Sequence, residues 1–124
     1  MNNALLFSLA ATLFLLHEAK AGDLQSRVVH ELQSHGFDRV SAGASLPIET
    51  MTECGGRWGE TDGKVVRVCE RAPEACRLRI VAHELTHVLI ARAYGARSDA
   101  EGISRAMELI VDTEFKPGCD SPTE

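Results

Sequence analysis

Between Leu78 and Ile90 this chain contains neither proline nor glycine and is apolar on more than one face, yet it carries His83, Glu84 and His87. A helix so apolar all round is one that the fold buries. Burying two imidazoles and a carboxylate is costly unless a metal or hydrogen-bonding partners satisfy them. Any fold of this chain therefore has to bring polar groups to that helix. The run reads H-E-x-x-H, and at helical pitch its two histidines fall on one face, where both rings reach one metal ion. Zinc suits the pair, because neutral imidazole is among its usual ligands and its catalytic sites keep one position for water. Glu84, beside His83, is placed to take a proton from that water. The bland alternative is a helix with two surface histidines and a solvated glutamate, and the apolar surroundings of the run argue against it.

The segments around this helix follow from period and punctuation. Residues 23–35 set Leu24, Val28, Val29 and Leu32 on one side and stop at Gly36, a first amphipathic helix. Residues 46–54 and 64–70 read as two strands of a hairpin, with the glycine-rich stretch 55–63 as turn material ending in Asp62-Gly63. Pro73 suits the start of the long helix, which runs to about Tyr94 and stops at Gly95. Ser98 or Asp99 caps a last helix reaching about Glu114, with Pro117 closing it. The expected class is α+β: N-terminal helix, hairpin or small sheet, active helix, second helix. A strand lying beside the active helix would offer its edge to an extended peptide.

Length and cysteines bound the rest. The chain has 124 residues, enough for one domain. Residues 4–16 form an uncharged apolar run followed by Ala19-Lys20-Ala21, which predicts a secretory signal over 1–21 and a mature domain over 22–124. Met1-Asn2-Asn3 departs from the usual signal in having no basic side chain. Cys54, Cys69, Cys76 and Cys119 all lie in the mature part and read as two disulfides with three possible pairings, of which Cys54–Cys69 across the hairpin and Cys76–Cys119 tying down the tail is the one expected. Their spacing does not resemble paired C-x-x-C zinc clips. A net charge of −5 with one Trp and one Tyr offers no basic stripe or stacking platform for nucleic acid. The expected product is a secreted or periplasmic monomer with no membrane role after cleavage.

Two histidines hold zinc poorly, so a third protein ligand is required. No histidine follows His87, and Ile90 and Ala93 occupy the later positions of an H-x-x-G-x-x-H extension. The ligand then falls to a carboxylate on the last helix. Here the sequence resembles the gluzincin zinc metallopeptidases, whose third ligand is a glutamate on the helix after H-E-x-x-H. Residues 100–108, Ala-Glu-Gly-Ile-Ser-Arg-Ala-Met-Glu, are similar to the E-G-x-[A/S/T]-x-x-x-E segment of aminopeptidase-like members. That resemblance implies Glu101 as ligand and Glu108 as its companion. Glu108-Leu109-Ile110-Val111-Asp112 also matches an E-x-x-x-D pattern of related gluzincins, which implies Glu108 as ligand and Asp112 orienting the first histidine. Antiparallel packing about a turn at 95–98 favours Glu108, since it and the His83–His87 midpoint would each lie about 13 Å from the turn. Ser98-x-x-Glu101 can also be read as a capping box. The expected ligand set is His83, His87 and Glu101, with Glu108 as the alternative and Asp99 as a third candidate.

The resemblance implies a minimal zincin-like domain binding one Zn²⁺ per chain and hydrolysing a peptide or protein substrate, with Glu84 as general base. Tyr94, Arg105 or a hairpin N–H are candidates for stabilising the oxyanion. The rival readings are a non-catalytic exported module that binds zinc or a partner, and an effector protease for one specific protein. His30 and His35 read as surface groups, and Trp58 as either a cleft wall or a cover on the core.

Overall fold

The computed structural model describes residues 23–96, 99–115 and 118–119. The expected signal peptide, the cap at Ser98 and the stop at Pro117 lie outside the described residues. Helix α1 (residues 23–34) buries Leu24, Val28, Val29 and Leu32, and Gly36 turns the chain out of it at φ +96°. Gln25, also on α1, is buried. Its amide donates to the carbonyls of Ala42 and Ala44, and its oxygen accepts from the N–H of Leu46. One side chain thus pins a non-regular segment to the helix and aims the chain into the sheet, in keeping with the rule that buried polar groups find partners.

The sheet has three strands, β1 (Ile48–Met51), β2 (Gly59–Thr61) and β3 (Val66–Cys69), in the order β1-β3-β2. This departs from the expected hairpin. The two anticipated strands are parallel neighbours, with Ile48 opposite Val66 and Met51 opposite Cys69. The hairpin is made instead by β2, which lies inside the stretch read as turn and runs antiparallel to β3. Parallel strands need a crossover of a dozen or more residues, and residues 52–65 supply one. Cys54–Cys69 joins the ends of the two parallel strands, and Cys76–Cys119 ties the C-terminal segment to the start of the long helix. Closing loops of 15 and 43 residues contributes roughly 3 and 4 kcal/mol on the chain-entropy account.

After a 3₁₀ turn (Glu74–Cys76), α2 (Arg77–Tyr94) passes through the middle of the domain and α3 (Ala100–Phe115) packs across it. Helix α2 is covered on nearly every side: Ile80 through Thr86 are all buried, as are Val88, Leu89 and Ile90. Helix α3 is one-sided. Ala100, Ser104, Met107, Glu108 and Val111 face inward while Leu109 is 62% exposed. Buried Glu108 on that inward face and exposed Glu101 at the start of the helix are what meet the histidines of α2.

Candidate metal centre

His83 and His87 stand one turn apart on α2, with rings 4.9 Å between centroids and tilted edge-on at 62°. Their Nε2 atoms lie 3.2 Å apart. Glu101, at the start of α3, closes the triangle: Oε1 is 3.1 Å from Nε2 of His83 and Oε2 is 2.9 Å from Nε2 of His87. Among the described residues this is the only group of three or more His, Cys, Asp or Glu side chains able to hold a metal ion. Donors bound tetrahedrally to one zinc at ~2.0–2.1 Å stand about 3.3 Å from one another. The observed separations approach that value, so the residues present fit the ion. The three donors also grade from buried His83 through half-buried His87 to exposed Glu101, which leaves the outer side of the group open to solvent. Closed structural sites carry four protein ligands; an open position characterises catalytic ones.

Both candidate glutamates of α3 stand against His83. Seven residues of α3 separate Glu101 from Glu108, about 10 Å along the axis, and the helix crossing brings both to His83. Glu101 approaches Nε2, and Glu108 approaches Nδ1 at 3.2 Å. This contact is short enough for an ion pair but poorly aligned for a hydrogen bond as it stands. Ser104 lies between the two on the inward face, fully buried. Asp112 does not join them; its carboxylate sits 3.4 Å from the backbone N–H of Cys119. The expectation that antiparallel packing sets residue 108 opposite the histidine midpoint misjudged the register: Glu101 stands there, and Glu108 lies one turn nearer the start of α2, against His83 and Arg79. Asp99 belongs to the turn before α3, and its backbone carbonyl accepts from Ile103.

Charge shapes the group as much as distance. Burial by itself would lower the pKa of His83, but the carboxylates of Glu108, Glu101 and Glu84 outweigh it and raise the value above that of an ordinary imidazole. For Glu101, burial acts upward and is outweighed by His83, His87 and Arg105, which hold its carboxyl below the usual range.

Glu84 is buried, at 7% exposure. Its Cγ lies against Gly59, the first residue of edge strand β2, and a side chain at position 59 would collide with the Cγ2 methyl of Ile80. Gly59 is therefore a close-approach glycine: its missing side chain lets the strand lie directly on α2 beside Glu84. In the sequence alone it reads as turn punctuation. Tyr94, a candidate oxyanion donor, is used elsewhere. Its hydroxyl accepts from the N–H of Arg39, and its ring packs edge-on against Phe37. It also stands on the order of 16 Å along α2 from His83. Arg105, in contrast, is beside the site, with Nε 3.5 Å from Oε1 of Glu101. Trp58 is half-buried against the core, and His30 and His35 are exposed. Arg79 was not anticipated, although it precedes His83 by one helical turn and so shares its face. No protein family, curated protein or solved structure matches this chain, so the site stands on its own geometry.

Proposed function

We propose that this chain is an exported zinc-dependent peptidase with a minimal zincin-like α+β fold, in which His83, His87 and Glu101 hold the metal and Glu84 moves the proton. The observation that carries this reading is the convergence of three donors next to a buried glutamate that lies against the edge of a sheet. When bound, zinc lowers the pKa of water and polarises a carbonyl as a Lewis acid. Glu84 takes the proton of the attacking water and delivers it to the leaving amine, so that one peptide bond and one water become a carboxylate and an amine.

The substrate-binding surface in this reading is the outer edge of β2. No further strand covers that edge among the described residues. The N–H of Cys69 donates to the carbonyl of Trp58, and alternation along an antiparallel ladder then turns the backbone groups of Gly59 and Thr61 away from β3. An extended peptide adding to that edge passes Glu84. Arg105 is the cationic group placed to meet developing negative charge. Two disulfides fit an oxidising compartment outside the cytosol, and no helix among the described residues is long and apolar enough to cross a membrane.

The test is Glu84→Gln in the disulfide-bonded protein. The variant is expected to retain one zinc by elemental analysis and to hydrolyse no peptide that the wild type cleaves. Retained hydrolysis removes Glu84 from the mechanism. A zinc-loaded wild type that cleaves nothing in a broad peptide pool makes the chain a binding module.

A further inference from the structure

An enclosed carboxylate has to keep the partners that compensate its charge. Glu108 is in that position: it is 4% exposed, and Oε1 faces Nδ1 of His83. Its other oxygen faces a second group. Nη2 of Arg79 lies 3.8 Å from Oε2, an ion pair rather than a hydrogen bond, with the arginine side chain 13% exposed. From its other nitrogen, Arg79 donates to the backbone carbonyl of Cys119 at 3.2 Å. Cys119 is fixed in turn by its disulfide to Cys76, three residues before Arg79. The chain of contacts runs from the stapled tail through Arg79 and Glu108 to the ring edge of His83 opposite its metal-facing nitrogen.

We propose that Arg79 is a positioning residue of the metal centre: its guanidinium, anchored on the carbonyl of Cys119, holds the Glu108 carboxylate against Nδ1 of His83. The inference rests on the metal site proposed above. A metal-binding histidine donates its other ring N–H to an outer partner that fixes tautomer and ring orientation, and loss of such partners costs 10–100-fold in metal affinity. Glu108 is that partner for His83. The arginine fork gives it a counter-charge and a fixed direction that a single point charge supplies less well.

Zinc affinity, read by competition with a chromophoric chelator, tests this without any activity assay. Arg79→Met is expected to bind zinc at least tenfold more weakly than wild type, with Arg79→Lys between the two. Glu108→Gln is expected to lose a similar factor, and the double variant Arg79→Met/Glu108→Gln to lose little more than the worse single one. Wild-type affinity in a folded Arg79→Met, or additive losses in the double variant, overturns the proposal. Should Arg79→Met fail to fold, Arg79→Lys decides: a several-fold loss supports the role and wild-type affinity overturns it. A wild type that binds no zinc overturns the metal site itself, an outcome distinct from unaltered affinity in the variants.

Discussion

The two edges of His83 face different environments. On the Nε2 side, Glu101 and Arg105 are exposed at 48% and 60%, and the donors open toward solvent. On the Nδ1 side, Glu108 and Arg79 are enclosed at 5% and 13% beneath a disulfide-tied tail. The same residue type, on the same helix, is a candidate ligand at one edge and a buried support at the other. Burial makes the difference. A carboxylate in water can exchange its partners for a metal at little cost, whereas an enclosed one has to keep the partners that compensate its charge.

Glu108→Ala against Glu101→Ala tests that contrast most severely. Removing one partner of a buried ion pair costs about 3–5 kcal/mol, so the metal-free Glu108→Ala protein is expected to melt more than 10 °C below wild type. Metal-free Glu101→Ala is expected to melt close to wild type while losing zinc. Thermal unfolding with and without chelator reads both, and equal destabilisation by the two variants breaks the comparison. Gly59→Ala comes next. A methyl group forced onto Ile80 is an overpacking change worth about 1–3 kcal/mol, visible as a lower urea midpoint. Because β2 is displaced from Glu84, peptide turnover is expected to fall further than stability alone accounts for.

Acidity sharpens the contrast on the open side. The raised His83 pKa contributes stability to the metal-free protein that is fully present below the ordinary imidazole value and is lost as pH rises through the folded one. The lowered Glu101 pKa contributes stability present above the ordinary carboxylate value and lost as pH falls through the folded one. The metal-free protein is therefore expected to be most stabilised by this cluster at mildly acidic pH. Zinc needs neutral imidazoles, so its affinity is expected to rise with pH and to level off only above the raised His83 value. Melting curves with and without zinc from pH 5 to 8 would show the gap widening with pH; a constant gap removes the coupling. Arg105→Gln should do least, since an exposed ion pair is worth about 0–1 kcal/mol. A melting temperature within a few degrees of wild type is expected, and a larger fall would mean that the open edge is load-sharing after all.

Much of this molecule was legible in its sequence because much of it is local. The pairing of His83 with His87 needs only helical pitch, and α1 with its stop at Gly36 follows from period and punctuation. That there are two disulfides follows from the cysteine count, while the choice among three pairings is made by the fold. The strand pairing was not local. Alternation in residues 46–54 and 64–70 says that two strands exist but not their relative direction, and the short β2 that makes the actual hairpin is hidden by glycines. Gly59 looks like any turn glycine until α2 lies on it.

What the sequence determined by itself was a buried helix carrying a metal-competent histidine pair, because a residue's face on a helix is set by its number. The tertiary structure alone decided where Glu101, Glu108 and Asp112 stand relative to the histidines. Their positions depend on how α3 is set against α2, through the packing of many apolar side chains. That packing carries Glu101 to Nε2 of His83 and Glu108 to Nδ1, leaves Asp112 at the tail, and encloses Arg79 behind Glu108.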